Sequence, residues 1–262
     1  MKNLHYKNAA PSLTLSGWEH KKRKWLLFCL LTLTLLIATP ILFPQVLFSN
    51  KFTYGNITVL SDKNIDSSIK KVLAAAVVKI EQSDLYDSTV HFKIFLCNTR
   101  WRFYLFSFGN ENAGGITHTR VTGNIFIRKC NISQNKIIPP ENWVFAKSPY
   151  SLSDRPLSYF IAHEMTHRLQ CFHFCSLTNN SPVWIREGYA DFIAKGSEFD
   201  YAENLKLFRQ GAPELSPKSG LYRYYHLLVY YLIKKKHLPI RDIIENKPSK
   251  CEVEGEMLNF KN

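Results

Sequence analysis

His163, Glu164 and His167 form the most specific chemical pattern in the chain, within the five residues HEMTH. Residues four positions apart on an α-helix project from the same face, about one turn from each other, so the two imidazoles can share one metal ion. Glu164 leans off the same face, where its carboxylate can reach a water molecule at the metal without being a ligand. The spacing therefore predicts a single Zn²⁺ bound by His163 and His167, with Glu164 beside it.

A catalytic zinc requires a third protein ligand and one open position. Cys171 lies eight residues after His163, about 12 Å along a straight helix, which is too far for one ion to bridge. His173 lies six residues after His167, but Gln170 occupies the position where a glycine would have to turn the chain back towards the metal. We therefore expect His173 to lie in the loop after the helix, away from the metal.

Glu187 is the remaining candidate for the third ligand, in the segment WIREGYAD. A second helix could present its carboxylate to the zinc, giving a His₂Glu site. Asp191 follows at i+4, and we expect it to accept a hydrogen bond from the second ring nitrogen of one zinc-binding histidine, which would fix the tautomer of that ring. The flanking Trp184 and Phe192 indicate that this acidic segment is buried rather than solvated.

Two helices must position these side chains. The first follows Ser153 or Asp154, either of which can cap it, with Pro156 in its first turn. The second is PVWIREGYADFIAKG (182–196), which a proline opens and a glycine closes. GLYRYYHLLVYYLIKKKHLP (220–239) predicts a third helix and IRDIIEN a short fourth.

The first half of the chain predicts a small mixed or antiparallel sheet. FTYGNITVL (52–60), VHFKIFLCN (90–98) and GNIFIRK (123–129) are typical of strands, whereas NIDSSIKKVLAAAVVKIEQ (64–82) has apolar residues at helical spacing. RWRFYLFSF is ambiguous, and residues 130–153 indicate a long loop. The fold class is therefore α+β.

Residues 25–48 contain no charged side chain and are long enough to span a bilayer. The basic run KKRK directly precedes them, which favours a cytoplasmic tail over 1–24, a single-pass signal anchor in the cell membrane over 25–48, and one extracytoplasmic domain over 50–262. A cleaved signal peptide is the alternative, but no A-x-A-like site follows. Pro40 and Pro44 are expected to loosen or end the helix.

The charge and the cysteines limit the remaining function classes. The formal net charge is +13, but no long basic run lies outside the N-terminus, so we expect no nucleic-acid partner. An oxidising compartment permits disulfides. The expected domain contains an odd number of cysteines whose pairing the sequence does not predict: Cys97, Cys130, Cys171, Cys175 and Cys251.

HEMTH followed by PVWIREGYADF resembles the gluzincin metallopeptidases, and most of all small bacterial domains of the peptidase-MA-like or minigluzincin kind. Their pattern is H-E-x-x-H and then roughly P-x-W-x-x-E-G-x-A-[DE]. The second part is matched by Pro182, Trp184, Glu187, Gly188, Ala190 and Asp191. The likeness covers about residues 155–245. It implies one small zincin-like domain, with a mixed sheet followed by the HExxH helix and the glutamate helix.

The resemblance also implies an activity. It predicts a membrane-anchored zinc peptidase that hydrolyses peptide bonds, with Glu164 as general base. Such domains often carry Y-x₉-L in the next helix, here Tyr222 to Leu232, and Tyr222 is the candidate that stabilises the oxyanion. Tyr224, Tyr225 and His226 are near enough in sequence to compete.

Two further expectations concern the partner of this site. If GNIFIRK lies beside the active helix, its free edge could pair with an extended peptide or protein substrate. The alternative function is a non-catalytic, zinc-bearing sensor or binding domain that retains the peptidase fold. A zinc that serves folding alone is disfavoured, because structural sites usually fill all four positions with Cys and His.

Overall fold

The computed structural model describes residues 16–139, 155–174, 181–215 and 222–260. Its first compact unit ends at Pro44 and contains helix α1 (Ser16–Leu42), which runs through Pro40 and stops two residues before Pro44. From Lys21 onwards α1 is long and apolar enough to cross a membrane, a property that membrane anchors and signal sequences share. The second compact unit, Gln45–Asn262, contains the candidate site.

A five-stranded mixed sheet forms the first half of this second unit. The strands are β1 (Asn50–Tyr54), β2 (Ile57–Ser61), β3 (Phe92–Leu96), β4 (Gly115–Thr117) and β5 (Ile125–Ile127). Their order is β1-β2-β3-β5-β4, in which β2, β3 and β5 are parallel and the two outer strands are antiparallel to their neighbours. A small hairpin follows, formed by β6 (Cys130–Asn131) and β7 (Lys136–Ile137).

Both faces of the sheet are covered, and the side chains of β3 alternate between them with the period of a strand. Ile94 and Leu96 join the main core together with buried residues of the later helices. Phe95 points to the other face and joins a second, aromatic cluster with Phe126 and Phe106. The middle of the sheet is therefore apolar on both sides, which explains the hydrophobic runs Ile94–Leu96 and Ile125–Ile127.

Helices fill the rest of the unit. They are α2 (Ile69–Ile80), α3 (Arg100–Phe106), α4 (Leu157–Phe174), α5 (Val183–Lys195), α6 (Tyr201–Arg209), α7 (Arg223–Tyr230), α8 (Ile240–Asn246) and α9 (Lys250–Asn259). Helix α7 continues into a π-helical turn, Tyr231–Lys235. Helix α4 packs against α2, α5, β4 and β5, so it lies between the sheet and the other helices. The predicted α+β class is confirmed.

Several sequence expectations need correction. FTYGNITVL is not one strand but the hairpin β1–β2, because Gly55 has a φ of +55° and turns the chain. The ambiguous aromatic segment is helix α3, and the first part of the expected loop after residue 129 is the β6–β7 hairpin. GNIFIRK contains β5, which has no free edge because it lies between β3 and β4. Ser153 and Asp154 lie outside the described residues.

The cysteines form no disulfide among the described residues. Cys97 and Cys130 are buried from solvent to different degrees, and burial is the main reason that the pKa of each thiol is raised. Cys175 lies outside the described residues.

Candidate metal centre and cleft

His163, His167 and Glu187 converge at one point between α4 and α5. Their Nε2, Nε2 and Oε2 atoms are separated by 3.1 Å between the histidines, and by 3.4 and 3.2 Å from each histidine to the carboxylate. A tetrahedral zinc with ligand distances of about 2.0–2.1 Å requires donor atoms about 3.3 Å apart. The three side chains are therefore a group that could hold a metal ion, with spacing that fits zinc.

The electrostatics of this cluster also favour a cation. Burial by itself raises the pKa of the Glu187 carboxyl, but the adjacent His167 and His163 hold that pKa well below its usual range. Burial lowers the pKa of His167, yet the charges of Glu187 and Glu164 outweigh burial and raise it to about 9. The two carboxylates thus stabilise a positive charge at this point, whether it belongs to a protonated His167 or to a metal ion.

Gln170 sets the orientation of the His167 ring. Its amide Nε2 donates to the carbonyl oxygen of Arg186 at 3.0 Å, which leaves its Oε1 to accept from His167 Nδ1 at 2.9 Å. In the neutral ring this bond keeps the proton on Nδ1, so the lone pair of His167 lies on Nε2, the atom that faces Glu187. Sequence reasoning missed this role, although the i,i+3 spacing of His167 and Gln170 on one helix could have indicated it.

Glu164 is held against the edge strand β4. Thr117 Oγ1 lies 2.7 Å from Glu164 Oε2 and 2.9 Å from its carbonyl oxygen, so the hydroxyl contacts both acceptors. Gly115 allows the close approach, because a Cβ at this position would lie 2.8 Å from Glu164 Cγ. Neither Thr117 nor Gly115 was predicted, since a strand of three residues leaves no periodic signal.

Asp191 is fully buried but does not make the expected hydrogen bond to a metal-site histidine. His167 Nδ1 is bonded to Gln170, and His163 Nδ1 has no hydrogen-bond partner in the described part of the chain. Among the described residues, Asp191 instead accepts from Tyr159 on α4, Lys195 on its own helix, His226 on α7, and Arg155, which lies two residues before α4. Asp191 lies one turn after Glu187 on α5, but Tyr159 lies between Asp191 and the ring of His163.

The charge on Asp191 is balanced within this network. Burial raises the pKa of its carboxyl, but Lys195 and Arg155 hold that pKa well below its usual range. Burial lowers the pKa of His226 to about 4, so the ring is neutral and donates from Nδ1 to Asp191. Asp191 therefore joins α4, α5 and α7 behind the metal-binding side chains.

Tyr222 lies at the candidate site, whereas its three competitors do not. Its ring is nearly parallel to that of His163, at 6.0 Å between centroids, and burial raises the pKa of its hydroxyl. Tyr224 bonds to Glu254, Tyr225 packs on its tyrosine neighbours, and His226 belongs to the Asp191 network. Tyr222 has a φ of +48°, an uncommon backbone conformation that the sequence did not predict.

The rejected ligands lie away from the cluster. Helix α4 extends to Phe174, so His173 is in its last turn rather than in a loop, and this expectation was wrong. His173 Nε2 contacts the carbonyl oxygen of Leu85, and Cys171 Sγ donates to the carbonyl oxygen of Thr119. Neither side chain belongs to the metal-binding group.

His163, His167, Glu187 and Glu164 line a cleft of about 630 Å³. Strand β4 and the loops beside it form one wall, α4 forms the floor, and Arg186, Glu187 and Tyr222 lie on the opposite side. The cleft is thus large enough for several residues of an extended peptide.

No model of a known protein family matches the chain, and no curated protein matches it significantly by sequence. The site geometry is therefore the basis for any assignment of function.

Proposed function

We propose that the protein is a membrane-anchored, zinc-dependent peptidase whose active domain lies outside the cytoplasm. The observation that carries the proposal is the juxtaposition of a His₂Glu donor set with the carboxylate of Glu164, at the floor of an open cleft. A site that served only folding would have no use for a buried carboxylate that is 6% exposed and faces this cleft without belonging to the donor set.

His163, His167 and Glu187 would hold the zinc. When bound there, zinc polarises the substrate carbonyl and lowers the pKa of a water molecule towards neutrality. Glu164 accepts a proton from the attacking water and later donates it to the leaving amine nitrogen. Thr117 donates to Glu164 Oε2, which leaves Oε1 as the oxygen for proton transfer. Tyr222 donates its hydroxyl proton to the developing oxyanion, a role supported by the raised pKa of this hydroxyl.

The substrate is an extended peptide that pairs with the outer edge of β4. This strand is the last of the sheet among the described residues, and it lines the cleft directly beside Glu164. Backbone hydrogen bonds to β4 would hold the scissile peptide against the metal-binding side chains.

Metal analysis followed by cleavage assays tests the proposal. The purified protein should contain about one zinc per chain, and Glu187→Ala should lose it. The Glu164→Gln variant should retain zinc while cleavage of a peptide library falls by about 10²–10⁴-fold. Zinc binding without cleavage by the unmodified protein would instead favour the non-catalytic binding domain, and a protein without zinc would contradict the site itself.

A further inference from the structure

The cleft has a defined direction because β4 and α4 lie alongside each other. Gly114, just before β4, packs against the ring of Phe160. Thr117 bonds to Glu164, and two residues later Thr119 accepts from Cys171. Strand β4 and helix α4 therefore run in the same direction along the cleft. We call the end beside Phe160 the first end and the end beyond His167 the second end, with Glu164 between them.

Two arginines lie at the second end, on opposite sides of the cleft. Arg120 directly follows Thr119, whose carbonyl oxygen contacts Cys171. Arg186 accepts from Gln170 through its own carbonyl oxygen. Since Gln170 and Cys171 are consecutive residues of α4, Arg120 and Arg186 flank the same turn, and both line the cleft.

The charges of these two arginines are available to a ligand. Arg120 is exposed and forms no ion pair with any described residue, and the Arg186 side chain is 42% exposed with only a long, 3.4 Å contact to Glu187. Arg155, the third arginine of the cleft, differs from them. Its side chain is 13% exposed and its charge is offset by the buried Asp191 at 3.1 Å. The positive charge of the cleft that is exposed to a ligand is therefore concentrated beyond His167.

We propose that this end binds a carboxylate of the substrate, and that the peptidase prefers an acidic side chain on the N-terminal side of the cleaved bond. The inference rests on the proposed function. Antiparallel pairing is the more stable arrangement of two strands. Because β4 runs from Gly115 to Thr117 towards the second end, a substrate antiparallel to it places its N-terminal residues between Arg120 and Arg186.

Matched peptides test the preference and its direction. The zinc-loaded, full-length protein is given peptides that differ only in Glu, Gln or Lys at one position, placed N-terminal or C-terminal to the cleaved bond, each with a free or amidated C-terminus. We expect kcat/KM to be about tenfold higher for Glu than for Gln on the N-terminal side, since each exposed pair contributes up to about a fivefold effect. Equal rates, or a preference that requires acid on the C-terminal side or a free C-terminal carboxylate, would overturn the proposal.

Charge variants assign the effect to the two arginines. Arg120→Gln and Arg186→Gln should each reduce the preference for Glu about threefold to fivefold, and Arg120→Glu with Arg186→Glu should favour the Lys peptide. Arg209→Gln removes the same charge from α6, outside the cleft, and should change nothing. Unchanged preferences in the two cleft variants would refute the assignment, provided that their zinc content is intact.

A binding measurement separates this inference from the proposed function. In the Glu164→Gln background, fluorescence anisotropy should show tighter binding of the Glu peptide than of the Gln peptide, and the difference should shrink at high salt. Cleavage without any acidic preference contradicts the inference alone. If no peptide is cleaved, the proposed function fails, and the anisotropy comparison alone supports or refutes the acidic site.

Discussion

At the scale of single residues, Gln170 links two parts of the candidate metal centre. It bonds to His167 on its own helix and to the backbone of Arg186, one residue before the ligand Glu187. A side chain that orients a metal-binding histidine in this way supports both the tautomer and the position of the ring.

Replacing Gln170 by alanine should therefore weaken metal binding without removing a ligand. We expect Gln170→Ala to lower zinc affinity about 10- to 100-fold, measured by competition with a chelator of known affinity. Gln170→Glu keeps an acceptor for His167 Nδ1 but loses the donor to the Arg186 carbonyl oxygen, so its zinc affinity should lie between those of the unmodified protein and Gln170→Ala. His173→Ala is the matched control, since His173 contacts Leu85 instead of the metal centre. Equal affinities for Gln170→Ala and His173→Ala would contradict this role.

The raised pKa of His167 predicts how metal binding depends on pH. In the metal-free protein this pKa is about 9, because the charges of Glu187 and Glu164 outweigh burial, so the ring is protonated at pH 7. A metal needs the lone pair of Nε2, and one proton must leave. Zinc affinity should rise up to tenfold per pH unit as pH approaches 9, and calorimetry in buffers of different ionisation enthalpy should detect about one released proton. No dependence on the buffer would contradict the prediction.

The same shift predicts the opposite trend for the stability of the metal-free protein. Because the folded pKa of His167 lies above the ordinary value of 6.5, its protonation stabilises the folded state fully below pH 6.5. This contribution is lost as pH rises through about 9. Urea unfolding of the metal-free protein at a series of pH values should show the decrease, and its loss in His167→Gln would assign it to this ring.

At the scale of elements, the close packing of α5 against α7 explains why a glycine, Gly188, follows the candidate ligand Glu187. A Cβ at Gly188 would lie 2.5 Å from the carbonyl oxygen of Tyr225 and 2.8 Å from its carbon, so α5 and α7 approach each other with backbone in contact. This approach brings Tyr222, at the start of α7, towards the metal-binding side chains.

Gly188→Ala should consequently separate α5 from α7. We expect a loss of about 1–3 kcal/mol in the free energy of unfolding, together with weaker peptide cleavage, because Tyr222 and Glu187 shift relative to each other. Gly255→Ala is the matched control. Gly255 is also helical but has open space around it, so alanine there should be neutral or stabilise by up to about 1 kcal/mol. Equal free energies of unfolding for the two variants would contradict the prediction that the contact between α5 and α7 requires a glycine at position 188.

The elements also show which parts of the site were predictable. Helical spacing predicted that His163 and His167 share one face of a helix, and Pro182 and Gly196 predicted the ends of the helix that carries Glu187. The structure has both helices, α4 and α5, at these positions. Strand β4 was not predicted, since three residues at a sheet edge have no periodicity of their own. The partners of Asp191 depend on how three helices pack, which spacing along one helix does not determine.

At the scale of the whole molecule, the proposed anchor determines on which side of the membrane the proposed peptidase would act. Helix α1 carries the basic run Lys21–Lys24 at its start and uncharged residues from Trp25 to its end. Basic residues remain on the cytoplasmic side, which would place everything after α1 outside. A cleaved signal peptide would release the domain instead, so the two arrangements differ in the mass and the location of the mature chain.

Carbonate extraction of membranes, followed by intact-mass measurement, distinguishes these arrangements. We expect the uncut chain to remain in the membrane fraction, with the domain accessible to protease only from the extracytoplasmic side. Leu31→Arg should impair insertion, because a central arginine costs about 2.5–3.5 kcal/mol. Leu258→Arg is the control, since Leu258 is exposed on α9, outside the proposed span. A soluble chain that lacks α1 would contradict the anchor, yet the candidate metal centre would be unaffected, because His163, His167 and Glu187 all lie in the second compact unit.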